Sequence, residues 1–400
     1  MSWLTDFMKA TEGAESPRSY FYWSGLAAIS AAVRNKVFLD KHFYKLYPNI
    51  YVLLVGRSGL RKSYPVNLAK SMVSKLNVTR IISGRNSIQA IIQEMGRTQT
   101  APGRPPLKDA IAFIASGEMG TLLVEDPQAT NILMDLFDGH YNVEWKNTLK
   151  GSGVDELKNV NVTLLGAINP ELLKDIIHAK EIKGGFVART MMVVEHKKAH
   201  KNPLIDKPEG MIDIELFLPY LRTLSLLEGG FIWSQGARDC FTEWYMAYDA
   251  DDKKDDLTGT AQRIHDQVLK VAMLIALSEQ PKLVLESTHI EEALDACLKF
   301  EASARSVTQG TGSSDMAPKI KIVVDELLRR REVKKSDLLR WHYGDFDVQD
   351  LDRIMATLFQ ARMAVEAVLP GANVIYKATP TLFEAFEVIQ RSKQKEKKAG

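Results

Sequence analysis

Between positions 56 and 63 the chain carries Gly56-Arg57-Ser58-Gly59-Leu60-Arg61-Lys62-Ser63, residue types suited to cradling a phosphate. Backbone N–H groups of a glycine-containing turn can curl around an anion, and a helix N-terminus behind them adds a positive field. One lysine can then reach the β/γ-phosphates, and the serine hydroxyl after it can hold Mg²⁺. On this reading the loop takes ATP and Mg²⁺, with Ser63 as the metal-binding residue. The spacing departs from the usual pattern at Arg61, which stands where glycine would give freedom at φ. Arg61 must adopt ordinary helical dihedrals or tolerate strain, and its guanidinium adds charge near the phosphates. The plain alternative is a strand, a turn and a surface basic pair.

A phosphate loop does not by itself name a reaction, so the ends of later strands matter. The apolar run Ala110 to Ala115 leads into Ser116-Gly117-Glu118. A carboxylate just past a buried strand can polarise an attacking water, which makes Glu118 a candidate base; the other reading is a surface carboxylate in a turn. The acidic neighbour expected to serve Mg²⁺ is absent, with Ser116-Gly117 in its place. Asn169 ends the run Val160 to Ala167 and precedes Pro170, which stops the strand and aims the amide. It can position water against a γ-phosphate, or simply form an Asx turn. Lys183-Gly184-Gly185-Phe186-Val187-Ala188-Arg189 precedes another apolar run, so Arg189 suits an arginine finger acting on a neighbouring subunit, or is a plain surface charge. Arg263, at the head of a helical pattern, is a second candidate. His196 and His200 lie four apart with no third ligand in view, so a metal site there is not expected.

The elements that must position these residues can be read from periodicity. Tyr51 to Val55 is a buried strand, and Asn67 to Leu76 a helix. Residues 49–203 alternate strands and helices, an α/β pattern with a parallel sheet and flanking helices. A helical region, residues 1–48, precedes this core, with a helix starting near Ser16-Pro17-Arg18 and a short strand at Lys36 to Asp40. Residues 204–307 are helical, with segments Ile214 to Leu227, Gln235 to Asp249, Ala261 to Ser278 and Thr288 to Ser306. Residues 308–318, rich in Gly, Ser and Thr, read as a linker. Residues 319–380 then give three helical stretches and two short strands, the layout of a winged helix, and residues 381–400 form a basic tail.

Taken in order, the phosphate loop, Glu118, the strand ending in Asn169-Pro170, Gly-Gly-Phe-x-x-Arg189 and the Arg263-led helix resemble the AAA+ helicase-like ATPases of bacteriophages and mobile elements. That family is related to MCM and superfamily 3 helicases, and the resemblance spans roughly residues 15–305. It implies an ATP-driven DNA helicase, a hexameric ring moving on single-stranded or forked DNA during phage or mobile-element replication. Primase or other replisome proteins are then expected partners, and the host cytoplasm the expected location. In related helicases a hairpin at the place of residues 141–159 projects into the ring's pore. Here Lys146 and Lys150 would touch phosphates and Trp145 would stack on a base, or the segment is a lid packed on its own domain.

Composition bounds these readings. The 400 residues are 45% apolar and 26% charged, ordinary values for a globular protein. The longest apolar stretches fall far short of the roughly 18 residues of a membrane span, and the N-terminus lacks the pattern of a signal peptide. Cys240 and Cys297 stand alone, which argues against a disulfide framework or a zinc site and fits a reducing compartment. The net charge of +2 hides a basic end. Arg391 to Gly400 holds five basic residues against Glu396, so the rest of the chain is slightly acidic. Within the 319–380 segment Asp347, Asp350 and Asp352 would repel phosphates, leaving Arg329, Arg330, Arg331, Lys334 and Lys335 as its better basic cluster. Two other functions remain open: a helicase loader or initiator that uses ATP as a switch, and a DNA-binding adaptor with a degenerate loop.

Overall fold

Four runs of aliphatic and β-branched residues are apolar on both faces, as strands must be when helices cover a sheet on either side, and a fifth, shorter strand joins them at one edge. In the computed structural model they are β1 (Tyr51–Val55), β2 (Arg80–Ile82), β3 (Ile111–Ser116), β4 (Asn161–Ile168) and β5 (Thr190–Val194). All pair in parallel, in the order β2-β3-β4-β1-β5. The structure describes residues 2–98, 109–126, 128–138, 144–149, 153–178, 185–201, 213–250, 259–309, 316–369 and 373–384. The chain divides into two compact units, Met1–Thr311 and Gly312–Gly400.

Alternation along the strands sorts the core of the first unit into two layers. Val52, Leu54, Phe113, Ala115, Leu165, Ala167, Met191 and Val193 belong to one core layer with residues of α1 (Trp3–Ala10), α2 (Arg18–Val33), α3 (Ser63–Leu76) and α4 (Thr260–Glu279). Tyr51, Leu53, Val55, Ile114, Leu164 and Met192 face the helices Ile88–Gly96 and Ala129–Phe137. From Tyr20 to Val33 every residue of α2 except Tyr22 is buried. A helix apolar all round belongs in the interior rather than on the surface.

Two expected elements differ in extent. The helix after the phosphate loop starts at Ser63, not Asn67, because Pro65 falls in its first turn, where the missing N–H costs nothing. The expected helix Ile214 to Leu227 is a 3-10 turn, Ile214–Phe217, followed by Leu218–Leu224. The short β2 carried no clear signal in the sequence. Among the described residues no helix is long and apolar enough to cross a membrane.

The second unit has the helices Met316–Arg330, Lys335–Trp341 and Val348–Gln360, and a three-stranded antiparallel sheet. Asn373–Ala378 lies between Glu332–Lys334 and Ala364–Leu369 in that sheet. Its own core gathers Val323, Leu327, Leu338, Leu351, Ile354, Leu358 and Tyr376. Asp347 caps the third helix by accepting from the backbone N–H of Asp350, while Asp350 and Asp352 pair with Lys319 and Lys335. In the expected basic cluster Arg329 and Arg330 both pair with Glu326, which offsets one of its five charges, and Lys335 pairs with Asp352. The basic tail lies outside the described residues from position 385 onward.

Candidate nucleotide site

In a parallel sheet every strand ends on the same edge, and the register here sets those ends nearly level. Val55 pairs with Ile168 on one side and Val194 on the other, and Ser116 pairs with Gly166. Gly56, Gly117, Asn169 and Glu195 therefore emerge together, at the edge where open α/β sheets bind ligands.

The loop from Gly56 to Lys62 is shaped by close packing at its root. A Cβ on Gly56 would lie 2.5 Å from Leu60 Cδ1, 2.6 Å from the Tyr20 hydroxyl and 3.0 Å from the Glu195 carbonyl, so only glycine fits. Arg57, Ser58 and Gly59 are exposed. Gly59 and Arg61 both take left-handed backbone, with φ of 90° and 56°. Arg61 thus occupies the conformation that glycine supplies in the usual pattern, at a cost of roughly 1–3 kcal/mol for a residue with a Cβ. Of the two conformations open to it from sequence, the strained one is found. Its carbonyl accepts from the Ser16 hydroxyl at 3.0 Å, and its Nε donates to Glu15 Oε2 at 3.1 Å.

Helix α3 opens directly behind the loop with no side-chain cap; the Tyr64 N–H donates to the Arg61 carbonyl at 3.1 Å, and Pro65 has no N–H to offer. Lys62 Nζ donates to the carbonyls of Gly56 and Arg57 and to Asn169 Oδ1 at 2.9 Å. Lys62 and Asn169, 107 positions apart, are thereby brought together. Burial holds the Lys62 ammonium below its ordinary pKa, with Glu171 opposing that shift.

Ser63 is exposed beside the end of β3. A Cβ on Gly117 would lie 2.9 Å from Ser63 Oγ and 3.1 Å from its Cβ, so a side chain there would require Ser63 to shift. Glu118 follows, exposed to solvent, and its backbone N–H donates to Ser116 Oγ at 3.3 Å. Ser63, the uncapped α3 terminus, Lys62 and the left-handed turn fit a triphosphate with Mg²⁺; the usual carboxylate behind the metal is missing. Among the described residues no cluster of three His, Cys, Asp or Glu side chains could hold a metal by itself.

The other candidates lie elsewhere. Arg189 ends the short helix Gly185–Arg189 just before β5, where Thr190 pairs with Tyr51 at the start of β1. It sits at the opposite end of the sheet from Lys62, on the order of 15 Å away along five strand residues. Its guanidinium pairs with Asp138, and the side chain is 12% exposed. Arg263, Asp138, Asp266, Gln267 and Lys270 line with it a cavity of about 530 Å³. The two arginines, weighed as alternatives from sequence, thus share one cavity.

The hairpin of Glu144–Leu149 with Gly153–Lys158 carries the other basic candidates. Trp145 is half-buried against the sheet's core, and Lys146 is paired with Glu144 and Glu156. Lys150 and Lys183-Gly184 lie outside the described residues. Sequence reasoning missed Glu15 and Ser16, which contact Arg61, and Lys198, which pairs with Glu15; no local motif marks them because their partners are distant in sequence. Neither protein-family models nor curated proteins give a match to this chain.

Proposed function

We propose that the first unit binds ATP with Mg²⁺ in the 56–63 loop and hydrolyses it to drive movement along DNA. The ring of copies would act on single-stranded or forked DNA, in keeping with the AAA+ helicase-like resemblance. The observation that carries this reading is the meeting of Lys62 and Asn169 behind an uncapped helix terminus, at the carboxyl edge of a parallel sheet. Mg²⁺, when bound, would supply positive charge between phosphate oxygens, with Ser63 as its protein ligand.

The residues divide the work as follows. Lys62 has three protons and three oxygen partners, so a phosphate oxygen must replace one of them. The two carbonyls belong to the loop, whereas the Asn169 side chain can rotate. Nucleotide binding then frees that amide to orient water, and Glu118 serves as the base. Arg189 and Arg263, being far from their own loop, would serve a neighbour's nucleotide. Trp145, Lys146 and Lys150 would line the pore, with Lys146 exchanging its carboxylates for phosphates. Three helices and an antiparallel sheet support a winged-helix reading of the second unit.

The crowding of Ser63 against Gly117 favours a second reading, an ATP-switched helicase loader or initiator with slow turnover. ATPase assays with and without single-stranded DNA, on wild type and Lys62→Ala, decide among these. A motor shows DNA-stimulated turnover and strand separation, both lost in Lys62→Ala. A loader shows turnover without unwinding. Wild-type turnover in Lys62→Ala would refute nucleotide binding at this loop.

A further inference from the structure

Arg61 holds a conformation that its side chain disfavours, in a loop whose shape is its function, so something must hold it there. Two contacts converge on it from the segment before α2. Ser16, 1% exposed, donates its hydroxyl to the Arg61 carbonyl at 3.0 Å. Glu15, whose side chain is 10% exposed, accepts from Arg61 Nε at 3.1 Å. Both Glu15 oxygens also accept from Lys198 Nζ at 2.9 Å, and the Glu15 carbonyl accepts from Ala199 N–H at 3.0 Å. The carboxylate is therefore fixed from the segment that follows β5 and presents one oxygen to the phosphate loop.

We propose that Glu15 is a positioning residue for the phosphate loop, anchoring the Arg61 guanidinium so that the backbone stays left-handed without glycine. The inference rests on the nucleotide-binding reading of the loop. It assigns the Arg61 side chain an inward structural partner instead of the phosphates. A substitution that would ordinarily loosen such a loop becomes part of a clasp, which joins residues 15 and 16, the loop and residue 198. Glycine at position 61 would adopt the same φ unaided, and this makes the idea separable from a general structural role for Glu15.

The test compares Glu15→Gln, Arg61→Gly and the double variant with wild type, using ATP affinity and amide hydrogen exchange across residues 56–63. Glu15→Gln is expected to weaken ATP binding about tenfold and to speed exchange in the loop. Arg61→Gly alone is expected to weaken ATP binding less than Glu15→Gln does, because glycine adopts the same φ unaided. In the Arg61→Gly background, adding Glu15→Gln should change neither readout by more than about twofold. An equal loss in both backgrounds would overturn the proposal, because Glu15 would then act independently of Arg61. A loss in Arg61→Gly as large as in Lys62→Ala would overturn it too, by placing the guanidinium on the phosphates. If Glu15→Gln does not fold, Glu15→Asp keeps the charge, shortens the arm by one methylene and carries the same comparison. Should wild type bind no ATP, the nucleotide reading fails while the exchange measurement still decides whether Glu15 and Arg61 are coupled through the loop.

Discussion

At the scale of residues, what separates this site from a familiar phosphate loop is its handling of charge near Ser63. No carboxylate stands at position 117, and a Cβ there would press on the Ser63 hydroxyl at 2.9 Å and on its Cβ at 3.1 Å. Gly117→Asp should therefore destabilise the fold, by about 1–3 kcal/mol as for other overpacked substitutions, and should not raise ATP turnover. Urea unfolding together with an ATPase assay checks both, and a gain in turnover would show that Ser63 can shift to accept the carboxylate. Glu118, one position further and exposed, has the freedom a water-activating base needs. Glu118→Gln is expected to leave ATP affinity unchanged and lower turnover by about 10²-fold; weakened affinity with unchanged turnover would reassign it to structure. The loop, Lys62 and the strand-end positions of Glu118 and Asn169 were legible in sequence, because motif and buried strand are local signals. The hydrogen bond between Lys62 and Asn169, and the clasp through Glu15, were not. Each joins residues dozens of positions apart; the sheet register brings the first pair together, and the packing of the segment before α2 the second.

Among the elements, α4 shows what a periodic reading leaves out. Its apolar spacing marks it as a buried helix, yet it carries Lys270, 5% exposed, into the interior. The amine donates to Asn49 Oδ1 at 2.6 Å and to the Asn49 carbonyl at 3.1 Å, and it lies 4.3 Å from the centre of the Phe137 ring. A neutral amine has two protons and these two acceptors use both. Burial pushes its pKa from 10.5 down to about 7, while Asp266 and Asp138 oppose the shift. Between those values the folded state has released a proton that the unfolded chain keeps, so the unfolded state binds more protons and stability rises with pH. Urea unfolding of wild type and Lys270→Met at several pH values from 7 to 10 should show the difference moving steadily in favour of wild type. A difference independent of pH would mean that the two aspartates keep Lys270 charged. The sequence pattern identified β1, β3, β4 and β5 because they are apolar on both faces, and it missed the short β2, which begins with Arg80. It could not reveal a lysine satisfied by an asparagine 221 positions away.

At the scale of the whole molecule, the sheet separates two kinds of chemistry. The 56–63 loop occupies the carboxyl edge, while Arg189 and Arg263 share a cavity toward the other end, too far to reach the loop of their own chain. Arginines so placed are useful to hydrolysis only if another copy brings its loop to them. Arg189 begins from an ion pair with Asp138 and little exposure, so it must leave that carboxylate to act, whereas Arg263 is already exposed. Turnover per subunit should accordingly rise with protein concentration. Arg263→Ala or Arg189→Ala should abolish turnover in homogeneous samples, and mixing either with Lys62→Ala subunits should restore part of it. The restored activity would come from interfaces that combine an intact loop from one subunit with intact arginines from the next. Asp138→Asn should ease release of Arg189 and shift the concentration dependence toward lower protein. Full turnover by a monomer at high dilution, or no recovery in any mixture, would show that hydrolysis is completed within one chain and that the cavity serves another purpose.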